Sequence, residues 1–125
     1  MNSITEKNRL KKKFGTYLSK IRNKRMYSQR ELARRINLSN SNLKYIEDGV
    51  NAPSPNVYSK LINELVPSLS EREEMDRLYS KIRGTPPPDI CEYLIENSQL
   101  YSIIRSEKNL SETLIKEQIS SSIKK

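Results

Sequence analysis

Residues 27–54 read YSQRELARRINLSNSNLKYIEDGVNAPS, and the stretch is punctuated as two short helices around a tight turn. Ser28 followed three residues later by Glu31 has the spacing of a capping box. In that arrangement a serine hydroxyl accepts the backbone N–H at the third helical position, and the glutamate reaches back to the cap. The helix it opens turns Leu32, Ala33 and Ile36 inward at helical spacing. The pattern breaks at Asn37-Leu38-Ser39. Asparagine enters the left-handed backbone region more readily than most residues, which suits a tight exit from a helix. Ser39 then caps a second helix, whose inner face is Leu43 and Ile46. Gly49 ends it where positive φ costs little.

Working outward, residues 8–25 carry Phe14, Leu18, Ile21 and Arg22 on one stripe with Lys and Arg on the other faces, which predicts a first helix. Downstream, Ser54-Pro55 is a cap followed by a first-turn proline. The helix it starts runs to Leu65, with Val57, Leu61 and Leu65 four residues apart. Ser70 and Glu73 have the spacing of a second capping box and predict a fifth helix to Arg83, stopped by Gly84. Thr85-Pro86-Pro87-Pro88 cannot continue a helix and favours an extended spacer. The expected division is therefore 1–84 and 85–125. Beyond the prolines, Ile90, Tyr93, Leu94, Leu100, Ile103 and Ile104 read as one or two short helices. A last segment from Ser111 to Ile123 carries Leu114, Ile115, Ile119 and Ile123. No strand pattern stands out, so the expected class is all-α.

Charge is distributed unevenly. The 125-residue chain has a net charge of +8. Residues 1–54 hold 13 Lys/Arg against 4 Asp/Glu, whereas 55–125 hold 10 against 11. A polyanion partner for the front half alone is the natural reading, and charge by itself does not separate DNA from RNA. One cysteine, Cys91, and no histidine exclude an internal disulfide and leave no usual zinc ligand set. Cys91 reads as a small buried side chain. No apolar run of about 18 residues predicts a membrane span, and the N-terminus lacks the apolar core of a signal peptide. A cytoplasmic protein is expected. No nucleotide-binding loop, paired carboxylates or metal cluster appears, so neither enzymatic activity nor a cofactor is expected.

Two short helices joined by about three residues have the geometry of a helix-turn-helix, in which the second helix enters the major groove. The string Tyr27-Ser28-Gln29-Arg30-Glu31-Leu32-Ala33, with Ile36-Asn37-Leu38-Ser39, Leu43-Lys44-Tyr45-Ile46-Glu47-Asp48-Gly49 and Pro53-Ser54, closely resembles the Cro and phage-repressor family. The resemblance spans roughly residues 10–65. Asn37 departs from it, standing where the family usually has glycine. What the resemblance implies is a five-helix lambda-repressor-like domain followed by a short helical C-terminal segment.

On that resemblance, Asn40, Ser41, Lys44 and Tyr45 match positions that face base edges. Asparagine pairs bidentately with adenine and lysine donates to guanine acceptors. Gln29 matches a phosphate-gripping position at a helix N-terminus, aided by the helix dipole. Ser39, Asn42, Asn51 and Ser54 match the groove margin or further backbone contacts. Arg22 and Glu47 match an ion pair tying the first helix to the third. Lys11, Lys12 and Lys13 read as a solvated helix face and Arg34 and Arg35 as an outer face, with phosphate contact the alternative for both groups, and Tyr17 and Tyr58 read as packing residues. The implied function is a sequence-specific regulator, most simply a repressor, binding double-stranded DNA as a homodimer on a palindromic operator in the bacterial or phage-infected cell nucleoid. The rival class is an antitoxin or anti-CRISPR-type protein whose residues 86–125 bind a partner protein.

Overall fold

The computed structural model describes the backbone of residues 3–124 and the side chains of residues 4–118. Among the described residues the structure is helical throughout: α1 (Ser3–Lys24), α2 (Gln29–Arg35), α3 (Asn40–Glu47), α4 (Pro55–Leu65), α5 (Leu69–Arg83), α6 (Pro88–Glu96) and α7 (Leu100–Lys124). The chain divides into two compact units, Met1–Cys91 and Glu92–Lys125.

The first unit is built on α1, which packs against both α5 and α3, while α2 packs on α3. Leu10, Phe14, Leu18 and Ile21 form the buried stripe of α1. They meet Leu32, Ala33 and Ile36 of the α2 region, Leu43 and Ile46 of α3, Leu61 and Leu65 of α4, and Met75, Leu78 and Ile82 of α5. Tyr58 lies at the centre, stacked on Tyr79 with ring centroids 4.2 Å apart. Burial, and the hydrogen bond its hydroxyl gives to Asp76, push the Tyr58 phenol well above its ordinary pKa. The helix α1 starts at Ser3, earlier than its sequence pattern indicates, and Glu6 pairs with Arg9 one turn on within this added N-terminal stretch.

The capping expectations need two corrections. Ser28 Oγ accepts from Glu31 N at 3.0 Å, but the Glu31 carboxylate turns outward to Arg34 and Arg35 instead of returning to the cap. The complete capping box is Ser68 and Glu71, not Ser70 and Glu73. Ser68 N donates to Glu71 Oε1 at 2.9 Å, and Arg25 from the end of α1 donates to the same oxygen at 2.6 Å. Starting α5 at Ser68 places a glutamate where Arg25 and Lys24 complete its coordination. Those bonds, the Ser68 N–H first and Arg25 next, hold the Glu71 carboxyl at a pKa of about 2. Arg25 also donates to the carbonyls of Leu65 and Val66, closing the C-terminus of α4 where Val66 takes a left-handed φ of 45°.

The triproline lies inside the first unit and is not a free spacer. Pro87 is buried and Pro88 opens α6. Cys91 is half-buried, not fully buried, and its thiol faces the Pro86 carbonyl at 3.3 Å. In the second unit α7 is one continuous helix of 25 residues, where the sequence pattern had indicated separate short pieces. Its residues Tyr101, Ile103, Ile104, Leu110, Leu114 and Ile115 are exposed. The side chains of Ile119 and Ile123 lie outside the described residues.

Candidate nucleic-acid interface

The turn between α2 and α3 is set by local chemistry. Asn37 adopts a left-handed φ of 55°, and Leu38 N donates to Ala33 O at 2.8 Å, closing the end of α2. Ser39 is extended, and its hydroxyl accepts from Asn42 N at 3.1 Å, opening α3. Gly49 exits α3 at φ 78°.

The two faces of α3 differ sharply. Leu43, Ile46 and Glu47 are buried, whereas Asn40, Ser41, Lys44 and Tyr45 are exposed and lie along one face at i, i+1, i+4 and i+5. Asn40, Ser41 and Asn42 make no side-chain hydrogen bond among the described residues. Tyr45 is 47% exposed. Lys44 Nζ donates to Asp48 Oδ2 at 2.8 Å, and this contact raises the lysine pKa.

The buried face is held by one carboxylate. Glu47 Oε2 accepts from Arg22 Nε at 2.6 Å, and Oε1 accepts from Arg22 Nη2 at 3.0 Å and from Gln29 Nε2 at 2.8 Å. Arg22 Nη1 also donates to Tyr27 O at 2.7 Å. This cluster joins α1, the lead-in to α2, the first residue of α2 and the last turn of α3. A bidentate Arg–carboxylate pair fixes orientation as well as distance. It is better credited with specifying geometry than with adding stability.

Asn51 is exposed just beyond α3, and its backbone N–H donates to Tyr45 O at 3.2 Å. Ser54 caps α4, its hydroxyl accepting from Val57 N at 3.2 Å. The structure thus brings Gln29, Arg22 and Glu47 into one cluster, lines the base-reading candidates along α3, and sets Ser39, Asn42, Asn51 and Ser54 at its two ends. Arg34 and Arg35 are drawn to Glu31 at 2.6 and 2.7 Å, and Arg35 covers the Tyr27 ring at 5.2 Å.

Sequence reasoning passed over Gly15. A methyl group there would stand 2.5 Å from the Ile46 carbonyl oxygen and closer still to that of Glu47. The α1 backbone therefore touches the last turn of α3, and only glycine allows it. The available signal was a glycine inside an otherwise unbroken helical stripe. Asp48, the Lys44 partner, was legible from its i+4 spacing.

Residues 18–65 match the helix-turn-helix family model. The segment is a helix-turn-helix domain of the Cro and phage-repressor type. The domain marks the chain as a DNA-binding transcription regulator. No curated protein and no solved structure matches the chain. The helix-turn-helix domain spans the whole Glu47 cluster, and α3 is the second of its two short helices. Among the described residues no helix is long and apolar enough to cross a membrane.

Proposed function

We propose that the protein is a repressor that binds a palindromic operator as a homodimer. The observation that carries this reading is the exposed row Asn40, Ser41, Lys44 and Tyr45 on a helix whose opposite face is locked by Glu47. Asn40 pairs with an adenine edge, Lys44 donates to guanine acceptors, and Ser41 and Tyr45 complete the contact surface. Gln29, Ser39, Asn42, Asn51 and Ser54 contact the DNA backbone around this row. Gln29 commits one amide hydrogen to Glu47, which leaves its second for a phosphate. Binding alone accounts for the activity, without catalysis or a cofactor, and the protein acts at the nucleoid.

Residues 85–125 supply the second half of this reading. The exposed apolar residues of α7 favour burial against another chain, and a second copy would set two reading helices on half-sites about 34 Å apart. A two-fold protein then matches a two-fold operator. The same residues would serve an antitoxin or anti-CRISPR-type protein, and a stoichiometric foreign partner in the purified protein would favour that class.

Footprinting on the DNA upstream of the protein's own gene tests the reading, with protection of a palindrome at physiological salt as the expected result. Lys44→Ala and Tyr45→Ala each lower operator discrimination by about 1–3 kcal/mol for every base edge no longer read. Gln29→Ala weakens all duplexes alike. Unchanged discrimination in the Lys44 and Tyr45 variants overturns the assignment of α3 as the reader.

A further inference from the structure

The positive charges of the first unit fall into two groups. Most arginines are neutralised, as with Arg9 by Glu6, Arg25 by Glu71 and Arg34 by Glu31. Lys7, Lys11 and Arg83 are among the cations that make no ion pair among the described residues, and these three converge. With Asn51, Ala52 and Ile82 they line an open cleft of about 480 Å³ between α1, the α3–α4 loop and the end of α5. No carboxylate lines this cleft. The three cations come from sequence positions more than 70 residues apart at the extremes, so the fold, not a local run, assembles them.

The cleft is fixed to the reading helix by backbone contacts. A methyl group on Gly49 would stand 2.6 Å from the Lys12 Cα, so the exit of α3 rests on the α1 backbone one residue from Lys11. Val50 N and Asn51 N both donate to Tyr45 O, at 2.9 and 3.2 Å, which holds the rim of the cleft against α3. Lys7 and Lys11 are one turn apart, about 6 Å along α1. Phosphates of one strand advance about 3.4 Å each along the duplex. The Lys7 and Lys11 backbone positions therefore lie at a spacing comparable with that of nearby phosphates on a single strand.

We infer that Lys7, Lys11 and Arg83 form a phosphate clamp that continues the DNA backbone contact from Asn51 into the cleft between α1 and α5. The inference rests on the proposed function, because its ligand is the duplex that α3 reads. Each lysine or arginine that neutralises a phosphate releases counterions and steepens the salt dependence of binding by about 0.9 in log K against log salt. Such a clamp adds affinity for every sequence and discrimination for none.

The test measures duplex affinity across a potassium chloride series for the full chain and for Lys7→Gln, Lys11→Gln and Arg83→Gln. The expected result is a slope shallower by about 0.9 for each substitution, with an unchanged ratio of operator to random-sequence affinity. Lys7→Arg and Lys11→Arg keep the wild-type slope. Lys60→Gln, on α4 away from the cleft, also keeps it. Melting curves matching the wild type show that the three glutamine variants are folded. Wild-type slopes in those variants overturn the clamp, as does an equal drop in slope in Lys60→Gln, which would reflect net charge alone. A wild-type chain that binds no duplex overturns the proposed function and the clamp with it, so the two failures are distinct.

Discussion

Gly15→Ala is the sharpest test of how the helix-turn-helix is held. In an exposed helix interior, alanine is favoured over glycine by about 1 kcal/mol. Here the added methyl meets backbone, with the Ile46 carbonyl oxygen at 2.5 Å and the Glu47 carbonyl carbon at 2.7 Å. A relaxed carbon–oxygen contact needs about 3.3 Å, so the last turn of α3 must retreat by at least about 0.8 Å to clear the Ile46 oxygen, and further to clear that of Glu47. No rotamer change relieves a backbone clash. Overpacking of this kind costs about 1–3 kcal/mol and outweighs the propensity gain. The retreat also carries Glu47 away from Arg22 Nε, now at 2.6 Å, toward or past the range of a good hydrogen bond. The expected outcome is a lower urea midpoint with an unchanged m-value, and a Tm reduced by about 4–8 °C for each kcal/mol of destabilisation. Operator affinity falls further than the fraction folded, because the reading face has moved. A Gly15→Ala protein that is about 1 kcal/mol more stable than wild type would refute the close approach.

Three further outcomes follow from the same structure. Removing either Arg22 or Glu47 alone leaves a buried charge unpaired and costs about 3–5 kcal/mol, whereas replacing both with methionine costs much less; a double-mutant cycle by denaturant unfolding measures the difference. Glu71 has a folded pKa of about 2 against an ordinary 4.5, so its stabilisation is complete above pH 4.5 and is lost as pH falls toward 2. The acid limb of the stability curve should flatten in Glu71→Gln. Leu114→Asp, on the exposed face of α7, should abolish self-association in sedimentation while leaving the melting of the first unit unchanged; a wild-type association constant in this variant counts against α7 as the dimer surface.

What could be read from the sequence divides by how far apart the deciding groups lie. Asn37, Ser39 and Gly49 define the turn through contacts within a few residues, and the structure puts the caps and the left-handed residues there. Buried Leu32, Leu43 and Ile46 follow from helical spacing alone. The start of α5 was misplaced because Ser68 and Ser70 are both plausible caps, and the choice falls to Arg25, which lies 46 positions before Glu71. The continuity of α7 was missed because Glu107 and Ser111 interrupt its apolar stripe although no proline or glycine breaks the helix. At the site, the exposed face of α3 was legible from its period. The brace from Gln29 to Glu47, 18 positions apart, needed the fold.

These internal contacts divide the interface into groups that are held and groups that must be exchanged. Gln29 is fixed by Glu47, which Arg22 holds in turn, so a phosphate meeting it finds an ordered donor and little side-chain entropy is forfeited on binding. On the proposed reading, Lys44 must leave Asp48 to reach a base. Their contact is an exposed i,i+4 pair, and solvent screening keeps such pairs weak. A good bidentate base contact discriminates by about 1–3 kcal/mol. On that reading, Asp48 therefore lowers Lys44 binding to every duplex by a small constant, which leaves discrimination between duplexes unchanged. The proposed phosphate clamp of Lys7, Lys11 and Arg83, with no carboxylate lining its cleft, would instead supply affinity without regard to sequence.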